Sequence, residues 1–405
     1  MAMKRKLVHV LGGGHWQLPT IRLARSLGYR VLVTDKYPQR PAYALADERE
    51  VIDIADREAT LDAARRHRID GITCDTTDAG VPTAAYVAER LGLAGIGYEV
   101  ALNFTNKHRM RTITAAAGLS PVRFRLVSKF AELRAAAEEI GYPLVIKPVD
   151  NQSSRGVHRI DDPTELDEGF SGARRATRER GVLLEEFLPG IEATVEGICL
   201  AGRYRTTACS DKGHFAHRPE VANRLTYPAA FDQATTARLL AANEAVVRSL
   251  GMTNGVTHSE FMVLDGEVRL IEIAARGGGN RIHTDIVPRL SGIDAPRSYL
   301  DFVMNAGPTP ASPARAKAAN LAFFDFPAGR VSAIRGVEEA RRIVGVHEIF
   351  LEFAAGDALR PPHDDRSRPG FVLAFGADRD DVVATTEKAM RTVEVDVEGF
   401  SHAAV

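Results

Sequence analysis

Glu260 and Glu272 stand toward the far ends of two apolar runs that flank the dipeptide Asp265-Gly266. Asp-Gly between two such runs is a strong short-range hairpin signal. A glutamate in an apolar strand is costly unless it is paired or coordinates a metal. Two of them read as a cation site, most naturally Mg²⁺ held together with phosphate oxygens. The alternative is an ordinary hairpin with two solvated glutamates. The cation reading makes a structural demand. A two-residue loop pairs Leu264 with Glu267 and puts Glu260 opposite Ile271, so Glu272 faces the other way. Only a three-residue loop or a bulge brings Glu260 opposite Glu272. Arg276 and the glycines Gly277, Gly278 and Gly279 follow, and these glycines let backbone approach a ligand closely.

Other residues with chemical potential lie upstream. Lys147 ends an apolar run and is followed by Pro148, so a lysine there needs a reason. Lys107 sits near the start of an expected helix. After Lys147 and Pro148 comes the polar stretch Asp150–Val157, which suits a hairpin tip or mobile loop. Residues 211–230 read as polar and irregular, and their His214, His217, Arg218 and Arg224 are either solvated or part of a substrate pocket.

The elements that must position these residues can be read in outline. Residues 5–100 alternate strands and helices: Lys6–Leu11, Pro19–Leu27, Arg30–Thr34, Glu50–Asp53, Arg57–His67, Ile69–Cys74 and Val81–Leu91. This rhythm implies a parallel sheet. The first turn, Gly12-Gly13-Gly14, matches a dinucleotide fingerprint only in part, because Gln17 stands where the third glycine belongs. A helix over about Thr105–Ala117 follows, then a strand, a helix and the strand Leu144–Lys147. Thr164–Arg180 reads as a helix, Val182–Phe187 and Glu192–Leu200 as strands, and Ala234–Leu250 as a long helix before the hairpin. Pro308, Pro310 and Pro313 mark a linker. The last stretch carries strands and a final helix, Asp378–Val393, with Asp378 as its N-cap.

At Leu183–Glu192, Leu-Leu-Glu-Glu-Phe-Leu-Pro-Gly-Ile-Glu, the chain resembles the interdomain hinge of the ATP-grasp superfamily. Lys107, Lys147 in Val-Ile-Lys-Pro, the segment Gln152–Val157, Glu260 with Glu272, and Arg276 match further family motifs in the same order. Ala274 replaces an asparagine that many members carry two residues after the second metal glutamate. Ala275-Arg276-Gly277-Gly278 instead looks like the L-amino-acid ligase branch. The lid has one glycine, Gly156, where relatives often have several.

The resemblance implies an α/β protein of ATP-grasp architecture: an N-terminal doubly wound parallel sheet (1–104), a central two-part nucleotide-binding α+β domain (105–184 with the lid, 185–308 with the metal hairpin), and a C-terminal α+β domain (309–405). It implies an ATP-dependent, ADP-forming carboxylate–amine ligase that works through an acyl phosphate, with ATP and Mg²⁺ (or Mn²⁺) as cofactors. Lys107 and Lys147 would hold phosphate oxygens; Ser153, Ser154 and Gly156 would cover them. Glu185 would accept from the adenine amino group, Glu186, Phe187 and Leu188 would meet the ring, and Glu192 would bind the ribose. Glu260 and Glu272 would bind metal. Arg276, with Lys147, would act in catalysis. His217, Arg218, Arg224 and Gly278 are the expected substrate contacts. A carboxylating or purine-biosynthesis type of enzyme is the nearest alternative. An NAD-dependent dehydrogenase and a non-catalytic ATP-binding module are the alternatives from other classes.

Acidic and basic residues nearly cancel, 53 against 52, and there is no basic tract that would suit nucleic acid. The apolar run Leu7–Leu11 is too short for a membrane span. Three cysteines, Cys74, Cys199 and Cys209, lack metal-ligand spacing and a disulfide framework. The expectation is a cytoplasmic protein acting on a small carboxylate and a small amine, with a homodimer as the default assembly. Mg·ATP should raise the melting temperature, because a ligand that binds only the folded state stabilises it. NAD should not; equal stabilisation by NAD would contradict the assignment of ATP as the principal nucleotide.

Overall fold

A computed structural model describes residues 5–399. The first sheet is parallel throughout. It comprises β1 (Leu7–Leu11), β2 (Arg30–Asp35), β3 (Glu48–Val51) and β4 (Gly71–Thr73) in the order β3-β2-β1-β4. Every residue of β1 is buried, as expected for a strand covered on both faces. Helices α1 (Leu18–Ser26), α2 (Arg57–His67) and α3 (Val81–Leu91) connect these strands or follow the last. Next come α4 (Tyr98–Thr105) and α5 (Lys107–Ala116), whose N-cap Asn106 accepts from the Arg109 amide. The backbone thus places Lys107 at the first position of α5 and Arg111 one turn later on the same face.

The second sheet is antiparallel and small. β5 (Phe124–Val127), β6 (Leu144–Pro148), β7 (His158–Ile160) and β8 (Val182–Glu186) pair in the order β5-β8-β6-β7. Helices α6 (Phe130–Ile140) and α7 (Leu166–Ala176) pack on it around a separate core that includes Leu133, Ile146, Phe170 and Leu184.

The third sheet has eight strands. β9 (Ile191–Leu200), β10 (Arg203–Phe215), β11 (Arg218–Tyr227), β12 (Gly255–Leu264), β13 (Glu267–Ala274), β14 (Ala318–Phe323), β16 (Val346–Leu351) and β18 (Gly370–Gly376) run β13-β12-β9-β10-β11-β14-β18-β16. It passes through strands on both sides of the proline-marked segment 306–317, which has no regular structure. β15 (Gly329–Arg335), β17 (Ala358–Leu359) and β19 (Glu394–Glu398) form a small separate sheet. The long helix α8 is Gln233–Ser249, and the last, α12, is Arg379–Thr392 with Asp378 capping it. Between them lie α9 (Val287–Ser291), α10 (Ala295–Val303) and α11 (Val337–Arg341).

The stretch 211–230, expected to be irregular, is mostly strand. β10 continues to Phe215, and β11 returns from Arg218 to Tyr227. The polar side chains hid the pattern because a bulge at Asn223 breaks the alternation: Arg224 pairs with Gly213, but Ala222 pairs with His214.

The β12–β13 hairpin meets the demand set by the sequence. Asp265 and Gly266 both have positive φ, 50° and 78°, which a two-residue primed turn requires. Leu264 pairs with Glu267, as that loop dictates. Phe261 then pairs with Leu270, but Glu260 pairs with Glu272, so Ile271 is an extra residue and the strand is bulged there. The two glutamates are therefore directly opposed and share a face.

Candidate active site

A cleft of about 1200 Å³ opens among the two four-stranded sheets and the eight-stranded sheet, and Glu260, Glu272, Lys107, Lys147, Arg276 and Gln152 all line it. Glu272 comes from the edge strand β13, and its Oε2 lies 2.9 Å from Lys107 Nζ. Lys107 Nζ also donates to the Asn151 carbonyl at 2.6 Å. Burial pushes the Lys107 ammonium down, but the Glu272 carboxylate outweighs it and the net shift is upward. Glu260 is flanked by Lys212 Nζ at 2.5 Å and His258 Nε2 at 3.5 Å. Burial works against its charge, but Lys212 and His258 hold the carboxyl well below the usual range. His258 in turn sits 2.5 Å from Glu196 through Nδ1; burial disfavours its charge, yet Glu196 carries its pKa to about 9.

The paired glutamates fit a hard divalent cation. They are oxygen donors on one face, and an ammonium group contacts each of them. Among the described residues no cluster of three or more His, Cys, Asp or Glu is arranged to enclose a metal. An ion here would need oxygen ligands from another molecule, and phosphate oxygens are the natural supply for Mg²⁺.

Lys147 is the penultimate residue of β6 and is buried. Its Nζ lies 2.6 Å from Glu185 Oε2. Arg111, which the sequence did not single out, grips the same carboxylate with Nε at 2.6 Å and Nη2 at 2.9 Å. Both oxygens of Glu185 are thus engaged by cations. Burial alone would raise the Glu185 pKa, but Arg111 and Lys147 bring it to about 2. For Lys147 burial wins over Glu185, and with Arg111 alongside its pKa is lowered. Arg111 leaves a faint sequence signal: an arginine at i+4 from Lys107, on the buried face of α5.

The hinge residues Glu186, Phe187 and Leu188 line the cleft. The Glu186 carboxylate is 3.0 Å from Arg123 Nε, and its amide donates to the Arg123 carbonyl. Glu192 lies 2.5 Å from Lys212 and 2.8 Å from His214 Nε2, so Lys212 bridges Glu192 and Glu260. Lys212 and His214 reach the cleft because β10 runs on to Phe215, into the stretch expected to be irregular.

Arg276 follows β13 and forms a forked ion pair with Asp78, Nε at 2.9 Å and Nη2 at 3.3 Å. Burial opposes the charge, but Asp78 raises the pKa of this guanidinium further. Asp78 lies just after β4, so the pair ties the first sheet to the β12–β13 hairpin. The Asp78 amide donates to Gln152 Oε1 at 2.6 Å, and Gln152 Nε2 donates to Thr77 Oγ1 at 3.3 Å. The loop Gln152–Val157 is thereby docked over the cleft. Ser153 and Ser154 both take left-handed backbone, φ 62° and 57°. Ser154 Oγ donates to the Glu220 carbonyl, and the Ser153 carbonyl accepts from the Asp365 amide. Gly156 has φ 72°, and a Cβ there would meet Ala176 at 2.5 Å, which explains the one glycine the loop keeps.

Three of the expected substrate contacts are corrected. His217, Arg218 and Arg224 are exposed and do not line the cleft. His217 lies near Asp325 and Arg218 near Glu220, both at 3.6 Å. The neighbours Glu220, Ala222 and Leu225 face the cleft instead; the parity switch between the last two is the bulge at Asn223. Gly278 packs against Ile282 and His258, while Gly279 and Asn280 beside it reach the cleft.

In the first turn of the parallel sheet the amides are already used. Gly12 donates to the Thr34 carbonyl at 2.8 Å, Gly13 to Asp35 Oδ2 at 2.9 Å and Gly14 to Gln17 Oε1 at 3.0 Å.

Comparison with known proteins follows the same division. Residues 140–285 match the ATP-grasp domain family, and residues 322–398 match the family described as L-amino acid ligase C-terminal domain 2. A formate-dependent phosphoribosylglycinamide formyltransferase of Synechococcus sp. (strain WH7803) is 30% identical over 399 residues, 96% of this chain and 98% of the relative. The alanine–anticapsin ligase of Bacillus subtilis (strain 168) is 29% identical over 272 residues, 61% of this chain and 56% of the relative. Among solved structures, the L-amino acid ligase from Bacillus licheniformis aligns with TM-score 0.81 and 24% identity, covering 98% of this chain and all of that one.

The Glu185 pair predicts a pH signature. Its pKa is depressed from 4.5 to about 2, so its contribution to stability is fully present above pH 4.5 and is lost as pH falls toward 2. At about 1.4 kcal/mol per unit this amounts to roughly 3 kcal/mol. Glu185→Gln should cost about 3–5 kcal/mol at pH 7, because two buried cations lose their counter-charge. Urea unfolding of wild type and variant should show this gap narrowing below pH 4.5. A constant gap would contradict the assignment.

Proposed function

We propose, from the premise that the chain belongs to the ATP-grasp superfamily and is an ADP-forming ligase of carboxylates with amines, that its carboxylate substrate is an amino acid and that the site described above is where it reacts. The observation that carries this reading is the opposed pair Glu260–Glu272 in one cleft with Lys107, Lys147 and Arg276. Such chemistry needs charge neutralisation and positioning rather than a covalent nucleophile.

In the reaction, a carboxylate oxygen of the substrate attacks the γ-phosphorus of ATP and ADP leaves. The amine then attacks the acyl carbon, loses a proton, and expels phosphate that carries the former carboxylate oxygen. Glu260 and Glu272 would hold Mg²⁺ or Mn²⁺, which supplies neutralisation of charge on the transferring phosphoryl group. Lys107 and Lys147 would hold phosphate oxygens as point charges, Lys107 exchanging its contact with Glu272 for them. Glu185, saturated by Arg111 and Lys147, would serve the nucleotide by orienting Lys147. Glu186, Phe187 and Leu188 would border the base, and Glu192 the ribose. Arg276 would hold the substrate carboxylate and the oxyanion that develops from it, its fork aimed by Asp78. Ser153, Ser154 and Gly156 would keep water from the acyl phosphate.

An amino acid is favoured over a phosphorylated amine by two observations. The C-terminal residues match the L-amino acid ligase family. The first βα turn, where an anion would meet free amides, has those amides bound internally to Thr34, Asp35 and Gln17. The second reading, a purine-type enzyme, draws on the near full-length likeness to the formyltransferase. Phosphate release from Mg·ATP across a matrix of carboxylic acids and amines, with mass spectrometry of products, separates the two. We also take segments 1–104, 105–184, 185–308 and 309–405 as the working domains, a homodimer as the assembly and the cytoplasm as the location. No described helix is long and apolar enough to cross a membrane.

Hydroxylamine should intercept the acyl phosphate when the amine is withheld. A hydroxamate is expected only with ATP, Mg²⁺ and the right carboxylate, and Glu272→Ala should abolish it. Arg276→Lys should keep ATP binding and lose about 100- to 1,000-fold in hydroxamate formation, the usual cost of one oxyanion donor. Full activity in Arg276→Lys would remove Arg276 from the proposed role.

A further inference from the structure

Glu260 and Glu272 oppose each other only because Ile271 is an extra residue in β13. A bulge of this kind leaves backbone groups without ladder partners, and β13 is moreover the edge of its sheet. Those groups are taken by α5 and the turn after it. Arg111 Nη1 donates to the Leu270 carbonyl at 2.6 Å, and its Nη2 donates to the Ile271 carbonyl at 2.9 Å. The Leu270 amide donates to Ser120 Oγ at 2.9 Å. Successive carbonyls of a regular strand point to opposite sides. One guanidinium reaches both here because the bulge turns the second toward it.

We propose that Arg111 is a positioning residue for the reaction: it locks the bulged register that places Glu272 across from Glu260, and so sets the separation of the metal-binding carboxylates. This rests on the reading of that pair as metal ligands. Arg111 is 2% exposed, and its charge is matched by Glu185, which also holds Lys147. One helix therefore carries both Lys107, in contact with Glu272, and the side chain that fixes where Glu272 stands. Arginine is required because a lysine can neutralise Glu185 but cannot span a carboxylate and two carbonyls with one planar fork. The competing view is a buried ion pair that contributes only to stability.

The test is Arg111→Lys in the full chain, with two readouts. Backbone hydrogen exchange in metal-free protein reads the bulge directly: exchange should rise over residues 270–273 and stay unchanged at the Asp265-Gly266 tip. Mn²⁺ binding in the presence of ADP, followed by electron paramagnetic resonance, should weaken by about 10- to 100-fold, as when a group behind a metal ligand is altered. A variant that melts earlier but keeps wild-type exchange at 270–273 and wild-type Mn²⁺ affinity overturns the proposal. If Arg111→Lys does not fold, Ser120→Gly removes the other hold on the bulge while sparing the ion pairs; glycine accepts the φ of 68° at that position. It should shift both readouts in the same direction, with Mn²⁺ binding weaker by about fivefold, the worth of one hydrogen bond. No shift in either readout overturns the proposal. Wild-type protein that takes up no Mn²⁺ with ADP would instead overturn the metal reading of the pair, and the exchange readout distinguishes the two.

Discussion

One additional residue in one strand decides which way a carboxylate points, and the rest of the site is arranged around that fact. With Ile271 bulged, two glutamates sit opposite each other at the edge of the eight-stranded sheet. Like charges directly opposite on paired strands repel, so each needs its own cation. Lys107 serves Glu272, while Lys212 and His258 serve Glu260. The neighbouring carboxylates are matched in the same way: Glu185 by Arg111 and Lys147, Glu192 by Lys212 and His214, Asp78 by Arg276. The cleft is a set of buried or half-buried ion pairs rather than a pool of free charge. A phosphate-bound metal would enter by exchanging partners, with the lysines passing from carboxylates to phosphate oxygens.

Those ion pairs also join parts of the chain that are distant in sequence. Arg276 on the hairpin meets Asp78 beside the parallel sheet, and the Asp78 amide meets Gln152 of the loop over the cleft. That loop in turn touches Glu220 and Asp365. The guanidinium proposed to hold the reacting carboxylate is thus linked through two contacts to the loop over the cleft. Closing the loop and aiming the arginine become parts of one arrangement, which suits an intermediate that must be kept from water.

Much of this could be read from the sequence, because the informative features are local. Asp265-Gly266 between apolar runs gave the turn, the βαβ rhythm gave the parallel sheet, and a lysine before Pro148 at the end of a buried strand stood out. The bulge appeared as a requirement, since a two-residue turn misaligns Glu260 and Glu272 by one residue. Its location could not be read, because it depends on Arg111 and Ser120, more than 140 residues away in sequence. Lys212 and Asp78 were missed for a related reason: their roles follow from strand pairing and domain contact, not from spacing. The same cause misplaced His217, Arg218 and Arg224. Their polarity suggested a pocket, but the bulge at Asn223 turns other residues of β11 to the cleft.

The central claim is that ATP activates a carboxylate as an acyl phosphate in this cleft. Transfer of ¹⁸O tests it most directly. With both oxygens of the productive carboxylate substrate labelled, one label should appear in the phosphate released, one atom for each product formed. Product that accumulates while the phosphate stays unlabelled would contradict the account.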